Sequence, residues 1–271
     1  MEKSKGLLGQ KYSDDRKKKP ELQFRLSVRA RIVAYAVNKY LSSTMGLNVL
    51  DLGAAEGRTL IEMSRILPGN EFSGIEYSRE LFNAAIPLTG NIKLQYGDIT
   101  RLPQNLQSGS FDVVSALAVL EHLENPLDAV KESIRVLKPG GILVATCPVP
   151  AWDYISNKLG LLKEDHHETE MTRQLMIRII NDSGINLLEY RKFMWAPVSF
   201  LPYLHLPVSA QFSLKTDQWI AQLSILNWLF VNQVVIGRKP SWMIWTPKNN
   251  TICCLLKYWG LTGLFIDVRA A

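Results

Sequence analysis

The stretch Asn48-Val49-Leu50-Asp51-Leu52-Gly53-Ala54-Ala55-Glu56-Gly57 constrains the fold more than any other part of this chain. A short apolar run ending in glycine reads as a buried strand that enters a tight turn. A helical pattern follows at Arg58–Leu67 and closes at Pro68-Gly69. The unit then recurs. Glu71–Tyr77 reads as a second strand, and Ser78 caps a helix through Ala85. Ile92–Gly97 and Phe111–Leu117 read as the third and fourth strands. Pro126–Leu137 reads as a helix with Asn125 as its cap, and Lys138-Pro139-Gly140-Gly141 turns the chain into a strand at Ile142–Thr146. Ahead of these units, Phe24–Leu41 carries apolar residues at helical spacing. Behind them come a helix at Thr172–Ser183 and strands at Asn186–Phe193 and Phe230–Arg238.

Strands alternating with helices predict a parallel sheet with right-handed crossovers and both faces covered. The expected fold class is therefore α/β, a Rossmann-like three-layer sandwich. Its seven-stranded sheet is mainly parallel, with the last two strands as an antiparallel edge pair, and a hydrophobic cap is inserted. The expected organisation is a basic flexible arm over residues 1–23, a main domain over 24–239 with the cap at 195–229, and a hydrophobic extension over 240–271. Charge supports the division. Residues 1–31 hold ten Lys/Arg and four Asp/Glu, the whole net charge of +6, while the remainder balances. An excess confined to one arm does not make a basic face, so nucleic acid is not an expected partner. The three cysteines, Cys147, Cys253 and Cys254, have neither disulfide nor zinc spacing. The apolar runs are shorter than the roughly 20 residues of a membrane span, and no secretory leader is apparent. The expected location is cytoplasmic.

Open α/β sheets bind ligands beyond the carboxyl ends of their strands, where the strand order reverses. The first strand end offers Asp51 and the Gly53–Gly57 turn. The second offers Glu76, a carboxylate suited to two ribose hydroxyls. The third offers Gly97-Asp98-Ile99, a carboxylate for an adenine amino group and an apolar side chain for the ring. The fourth ends at Ser115-Ala116-Leu117, followed by Val119-Leu120-Glu121-His122-Leu123. The turn lacks the G-x-G-x-x-G spacing of dinucleotide sites, which disfavours a nicotinamide dehydrogenase.

In this order the segments Val49–Gly53, Gly57, Glu76, Gly97-Asp98, Phe111–Val114, Leu120–Leu123 and Val136–Gly141 resemble the class I methyltransferases that use S-adenosylmethionine (SAM). The nearest flavour is the small-molecule branch that includes ubiquinone-biosynthesis O-methyltransferases. The resemblance covers about residues 30–195. It implies SAM as cofactor, with S-adenosylhomocysteine (SAH) as product. It implies that Asp51, Gly53, Ala54 and Gly57 surround the methionine and ribose, and that Glu76 holds the ribose with Tyr77 beside the adenine. Asp98 and Ile99 would bracket the adenine, and Leu117 would lie near the methionine. Ala55 departs from the family pattern, which has glycine there.

A hydroxyl or ammonium acceptor must lose a proton before it takes a methyl group, which calls for a base. His166 and His167, in Asp165–Glu170, follow the fifth strand and are the expected catalytic residues. The same cluster would suit a divalent ion or a plain helix lead-in, and no metal ligands are assigned. His205, among prolines and leucines, reads as a packed loop residue. Trp195, Phe200, Tyr203, Trp219 and Trp228 mark the cap as a cover for an apolar or aromatic small-molecule acceptor, or as a homodimer contact. The basic arm and hydrophobic extension suit peripheral membrane contact. The expected reaction is methylation on oxygen. The alternatives are N- or C-methylation of a lipid or natural product, and a SAM-binding scaffold without catalysis.

Overall fold

The computed structural model describes residues 9–88, 90–158, 167–246 and 251–254. In chain order the elements begin with α1 (Gln10–Lys18), α2 (Pro20–Tyr40), β1 (Asn48–Leu52), α3 (Arg58–Ile66), β2 (Glu71–Glu76) and α4 (Arg79–Asn83). They continue with β3 (Ile92–Tyr96), β4 (Phe111–Leu117), α5 (Pro126–Val136), β5 (Leu137–Pro148), α6 (Pro150–Lys158) and α7 (Arg173–Asp182). The last are β6 (Asn186–Trp195), α8 (Ala196–Ser199), α9 (Ala210–Ile220), β7 (Phe230–Arg238), β8 (Met243–Thr246) and β9 (Thr251–Cys254).

Seven strands form one sheet in the order β3-β2-β1-β4-β5-β7-β6, parallel from β1 to β5. β7 runs antiparallel between β5 and the edge strand β6. The expected seven-stranded sandwich is what forms. Alternation along the strands divides the core between two layers. Val49, Val113, Ile142 and Val144 face Val28, Ile32 and Val33 of α2 with Leu60 and Met63 of α3. Their neighbours Leu50, Val114, Leu143 and Ala145 face Ala129, Val130 and Ile134 of α5 with Met176 and Ile180 of α7. The strand order reverses between β1 and β4, so their carboxyl ends leave the crevice in which such sheets hold ligands.

The Lys138–Gly141 turn shows why its residue types are needed. Gly140 sits at φ +83°, and a Cβ on Gly141 would come within 2.9 Å of the Asp112 carbonyl oxygen. Strand β5 starts at Leu137, which pairs with Phe111, and a register shift before Val113 absorbs the turn ahead of Ile142. Asp112 is structural: it accepts from the Asn48 amide at 2.9 Å and from Lys138 Nζ at 2.7 Å.

Two segments differ from the reading of the sequence. Residues 10–18, part of the expected flexible arm, form a helix with Ser13 and Arg16 buried. Local hydropathy gives no hint of this, because α1 is almost wholly polar and is held by a distant ion pair described below. The cap is built of α8, α9 and the 3-10 turns Leu201–Leu204 and Ser224–Leu229. Asp217 of α9 pins it, accepting from the Met194 and Trp195 amides at 2.8 and 2.9 Å. Its large aromatics turn mainly outward, with Trp219 and Trp228 78% and 65% exposed. His205 is exposed in a left-handed conformation at φ +57°, so it ends a turn and is not packed. In the extension, β8 and β9 pair as a hairpin. No described helix is long and apolar enough to cross a membrane.

Lys239 closes the sheet end. Its side chain is buried and donates to the Ile134 and Leu137 carbonyl oxygens, both at 2.7 Å. A neutral amine has two N–H donors for these two acceptors. Burial lowers its pKa to about 8 from 10.5, so the unfolded chain binds more protons between those values. Folding stability contributed by this group therefore rises with pH across that interval. Urea midpoints should be higher at about pH 9.5 than at about pH 8, and Lys239→Met should flatten the difference.

Candidate functional site

A cavity of about 660 Å³ opens beyond β1 and β4, within the roughly 300–1,000 Å³ usual for small-molecule sites. Its floor is the turn after β1. The Gly53 and Ala54 amides both donate to the Ile75 carbonyl, at 2.9 and 3.0 Å, which fixes the turn to β2. Gly53 has φ +73°, and a Cβ there would lie 2.5 Å from Val119 Cγ2, so only glycine fits. Glu76 is held by the backbone: Ala55 N donates to Oε2 at 2.8 Å and Ser78 N to Oε1 at 2.6 Å. Each oxygen keeps a second lone pair for a ligand hydroxyl. Burial pushes the Glu76 pKa up, against those amide donors.

Asp51 is fully enclosed and accepts from Ser115 Oγ at 2.6 Å. Burial pushes its pKa up to about 7; the Ser115 hydroxyl and Arg16 oppose the rise, and Glu76 adds to it. Asp98 Oδ1 accepts from the Thr100 amide and hydroxyl at 2.8 and 2.7 Å. Beside it, Tyr77 stacks on Tyr96 with ring centroids 6.2 Å apart. Asp51, Gly53, Glu76, Tyr77, Asp98, Ile99 and Leu117 all line the cavity. Ala54 and Gly57 do not appear in its lining. Ala54 packs beneath the turn against Gly74, and Gly57, at φ +89°, starts α3.

Other walls were not legible as site residues. Tyr12 and Arg16 of α1 roof the cofactor half, and Arg16 reaches Glu56 at 3.3 Å and Thr59 Oγ1 at 2.9 Å. Leu22, Arg25, Leu26 and Arg29 of α2 line the other half of the cavity together with Trp152, Phe200, Val231 and Asn232. Spacing of four along α2 places Arg25 and Arg29 on one face, the one available signal.

Glu121, His122 and His167 complete this half, each offering a ligand atom within 4.8 Å of the others. The chain is built to bring them together. The Glu168 and Thr169 amides donate to the Glu121 carbonyl at 2.9 and 3.1 Å, and Thr169 Oγ1 donates to the Leu123 carbonyl at 2.6 Å. These bonds set the His167 ring against His122, centroids 5.0 Å apart and edge-on. His166 lies outside the described residues. Glu121 Oε2 and Asn232 Oδ1 are buried acceptors without a hydrogen-bond donor.

Residues 50–145 match the family model described as a methyltransferase domain. Over this stretch, about a third of its length, the chain is similar to that family. Over 112 residues this chain is 34% identical to a demethylmenaquinone methyltransferase of Staphylococcus aureus, 40% of this chain and 46% of that one. It spans only 34% to 46% of the length of the curated relatives it matches. Among solved structures, it is similar to a chain in the complex of the Haloferax volcanii Trm112 methyltransferase activator with a methyltransferase. That likeness has TM-score 0.60 and 18% identity, over 85% of this chain and 95% of the other. It is also similar to the [4+2]-cyclase SpnF, with TM-score 0.55, 18% identity, and 78% and 81% covered. Likeness at this level establishes the fold.

The cofactor half fits SAM, a ligand with a cationic sulfonium, a ribose diol and an adenine. Asp51, Glu76 and Asp98 supply three carboxylates in one trough, and the Gly53 cradle lets the backbone approach closely. A cationic ligand beside Asp51 favours its ionised form, so binding should release a proton below about pH 7. SAM affinity should therefore rise with pH up to about 7 and then level off, by calorimetry in buffers of differing ionisation heat. A flat profile would remove Asp51 from cofactor recognition. Ala55, held at φ +50°, is strained in a left-handed conformation that favours glycine. Ala55→Gly should raise stability by about 1 kcal/mol, read as an increase in Tm.

Proposed function

We propose that this chain transfers a methyl group from SAM to a protic oxygen on a small, partly apolar acceptor. The observation that carries the reading is the convergence of Glu121, His122 and His167 on the cavity, with their ligand atoms within 4.8 Å of one another. A hydroxyl acceptor must lose a proton before it takes the methyl group, and a base at the cavity wall can remove it. Trp152, Phe200 and Val231 supply an apolar wall for its body.

SAM supplies an electrophilic methyl group on a good leaving group. The protein's own part is alignment and removal of a proton. The imidazole of His167 or His122 takes the proton of the acceptor hydroxyl. Neutral imidazole suits this near pH 7. The backbone bonds from residues 168 and 169 to Glu121 keep both rings at the cavity wall, so the base is placed before the acceptor arrives. The demethylmenaquinone methyltransferase relative and the [4+2]-cyclase SpnF fold mark neighbouring chemistries that product analysis must separate from this one.

His167→Ala and His122→Ala should leave SAH affinity unchanged, by calorimetry. At least one should cut turnover on an acceptor hydroxyl by roughly 10²–10⁴-fold, less at high pH where the hydroxyl ionises unaided. Full turnover in both variants would remove the base and leave alignment alone. Methyl transfer to carbon in the isolated product would overturn the oxygen assignment.

A further inference from the structure

The wall that α2 presents to the cavity is cationic, and among the described residues its charges enter no ion pair. Arg25 and Arg29 are one helical turn apart and both line the cavity. The Arg29 Nε is buried and lacks an acceptor. Arg25 lies over the Tyr203 ring, 5.7 Å from its centroid. That stacking fixes the arginine while leaving its in-plane N–H groups for a ligand. Arg16, the third guanidinium nearby, is already committed to Glu56 and Thr59.

The remaining charges do not cancel this wall. Of the lining carboxylates, Asp51 is bonded to Ser115, Glu76 to the Ala55 and Ser78 amides, Asp98 to Thr100, and Asp128 to Asn125 and Lys131, which leaves Glu121 and Glu124. Glu121 is the one carboxylate whose field reaches Arg29, and it does so without ion-pair contact. The repulsion of Arg25 and Arg16 and the burial of Arg29 all disfavour its charged form. SAM brings no relief, because its sulfonium and ammonium outnumber its single carboxylate. One positive charge more enters the cavity with the cofactor than leaves it.

Resting on the methyltransferase reading, we infer that the acceptor is an amphiphilic anion, a phosphate or carboxylate on an apolar body, gripped by Arg25 and Arg29 with its body against Trp152 and Phe200. The pairing neutralises the α2 wall while the sulfonium is present. It also fixes one end of the acceptor, so that its hydroxyl lies toward Asn232 and the histidines. Guanidinium suits both anions through paired N–H donors.

The test uses the full chain saturated with SAH, titrated by calorimetry with octyl phosphate, octanoate, octanol, octylammonium and inorganic phosphate. SAH binding, measured first, reports on the methyltransferase reading alone; if it fails, the same series on the free protein still decides this inference. At least one amphiphilic anion should bind about tenfold more tightly than octanol and octylammonium, and more tightly than inorganic phosphate. Preference for octyl phosphate or for octanoate identifies the headgroup. Arg25→Gln should abolish the preference while SAH affinity stays within about twofold, and Arg25→Lys should restore part of it. Equal binding of octanol and the anions, inorganic phosphate matching octyl phosphate, or an Arg25→Gln variant that loses SAH and anion affinity together would each overturn the inference.

Discussion

A single buried carboxylate ties the architecture of the site together. Glu56 sits inside the turn after β1 with no solvent exposure, paired with Arg58 at 3.1 Å and Arg16 at 3.3 Å. An enclosed charge is tolerable only where partners compensate its lost hydration, and removal of one partner typically costs about 3–5 kcal/mol. The two arginines come from opposite directions in the chain. Arg58 opens α3 and makes the contact locally, whereas Arg16 must be delivered by the first helix. The demand of Glu56 for a second cation is what holds α1 over the strand ends.

Several features follow from that placement. Tyr12 and Arg16 become part of a ligand cavity, and Gln10 donates its amide to Glu80 Oε2 at 3.1 Å, fastening the start of the helix near α4. The roof thus spans from α2 to the far side of the cofactor trough. Beneath it the Gly53–Ala55 amides lock onto β2 through Ile75 and Glu76, so the same turn is fixed from above by charge and from the side by backbone. The trough is rigid because both restraints act on one short segment.

What was legible in the amino-acid order depended on range. The strands and crossover helices announce themselves through periodicity and glycine punctuation, which are local, and they form close to the expected boundaries. Glu76 and Asp98 were legible because a strand end in a parallel sheet has a known place in space. Arg16 was not, since its partner lies forty residues away and α1 has no apolar stripe. Only the acid inside an otherwise small, apolar turn hinted that a cation must come to Glu56. Likewise His167 was visible as a polar residue after β5, but its pairing with His122 rests on main-chain bonds to Glu121 that no side-chain pattern encodes. The cap was recognisable as an apolar insertion, yet composition could not say that Trp219 and Trp228 face outward while Phe200 turns in.

The cavity is assembled from unequal sources. Its cofactor half comes mainly from strand ends within residues 50–145, the stretch that matches the family. Its acceptor half adds Arg25 and Arg29 from before that stretch, and Trp152, His167, Phe200 and Asn232 from after it. The two halves meet at β4 and its following turn, where Leu117 and Glu121 belong to both neighbourhoods. Substitutions in the flanking segments can therefore reshape what the cavity accepts without touching the turn, the carboxylates or the sheet. Such a chain is free to drift in the ligands it admits while the central turn stays fixed, and kinship judged on the central stretch alone says little about the flanking walls of the cavity.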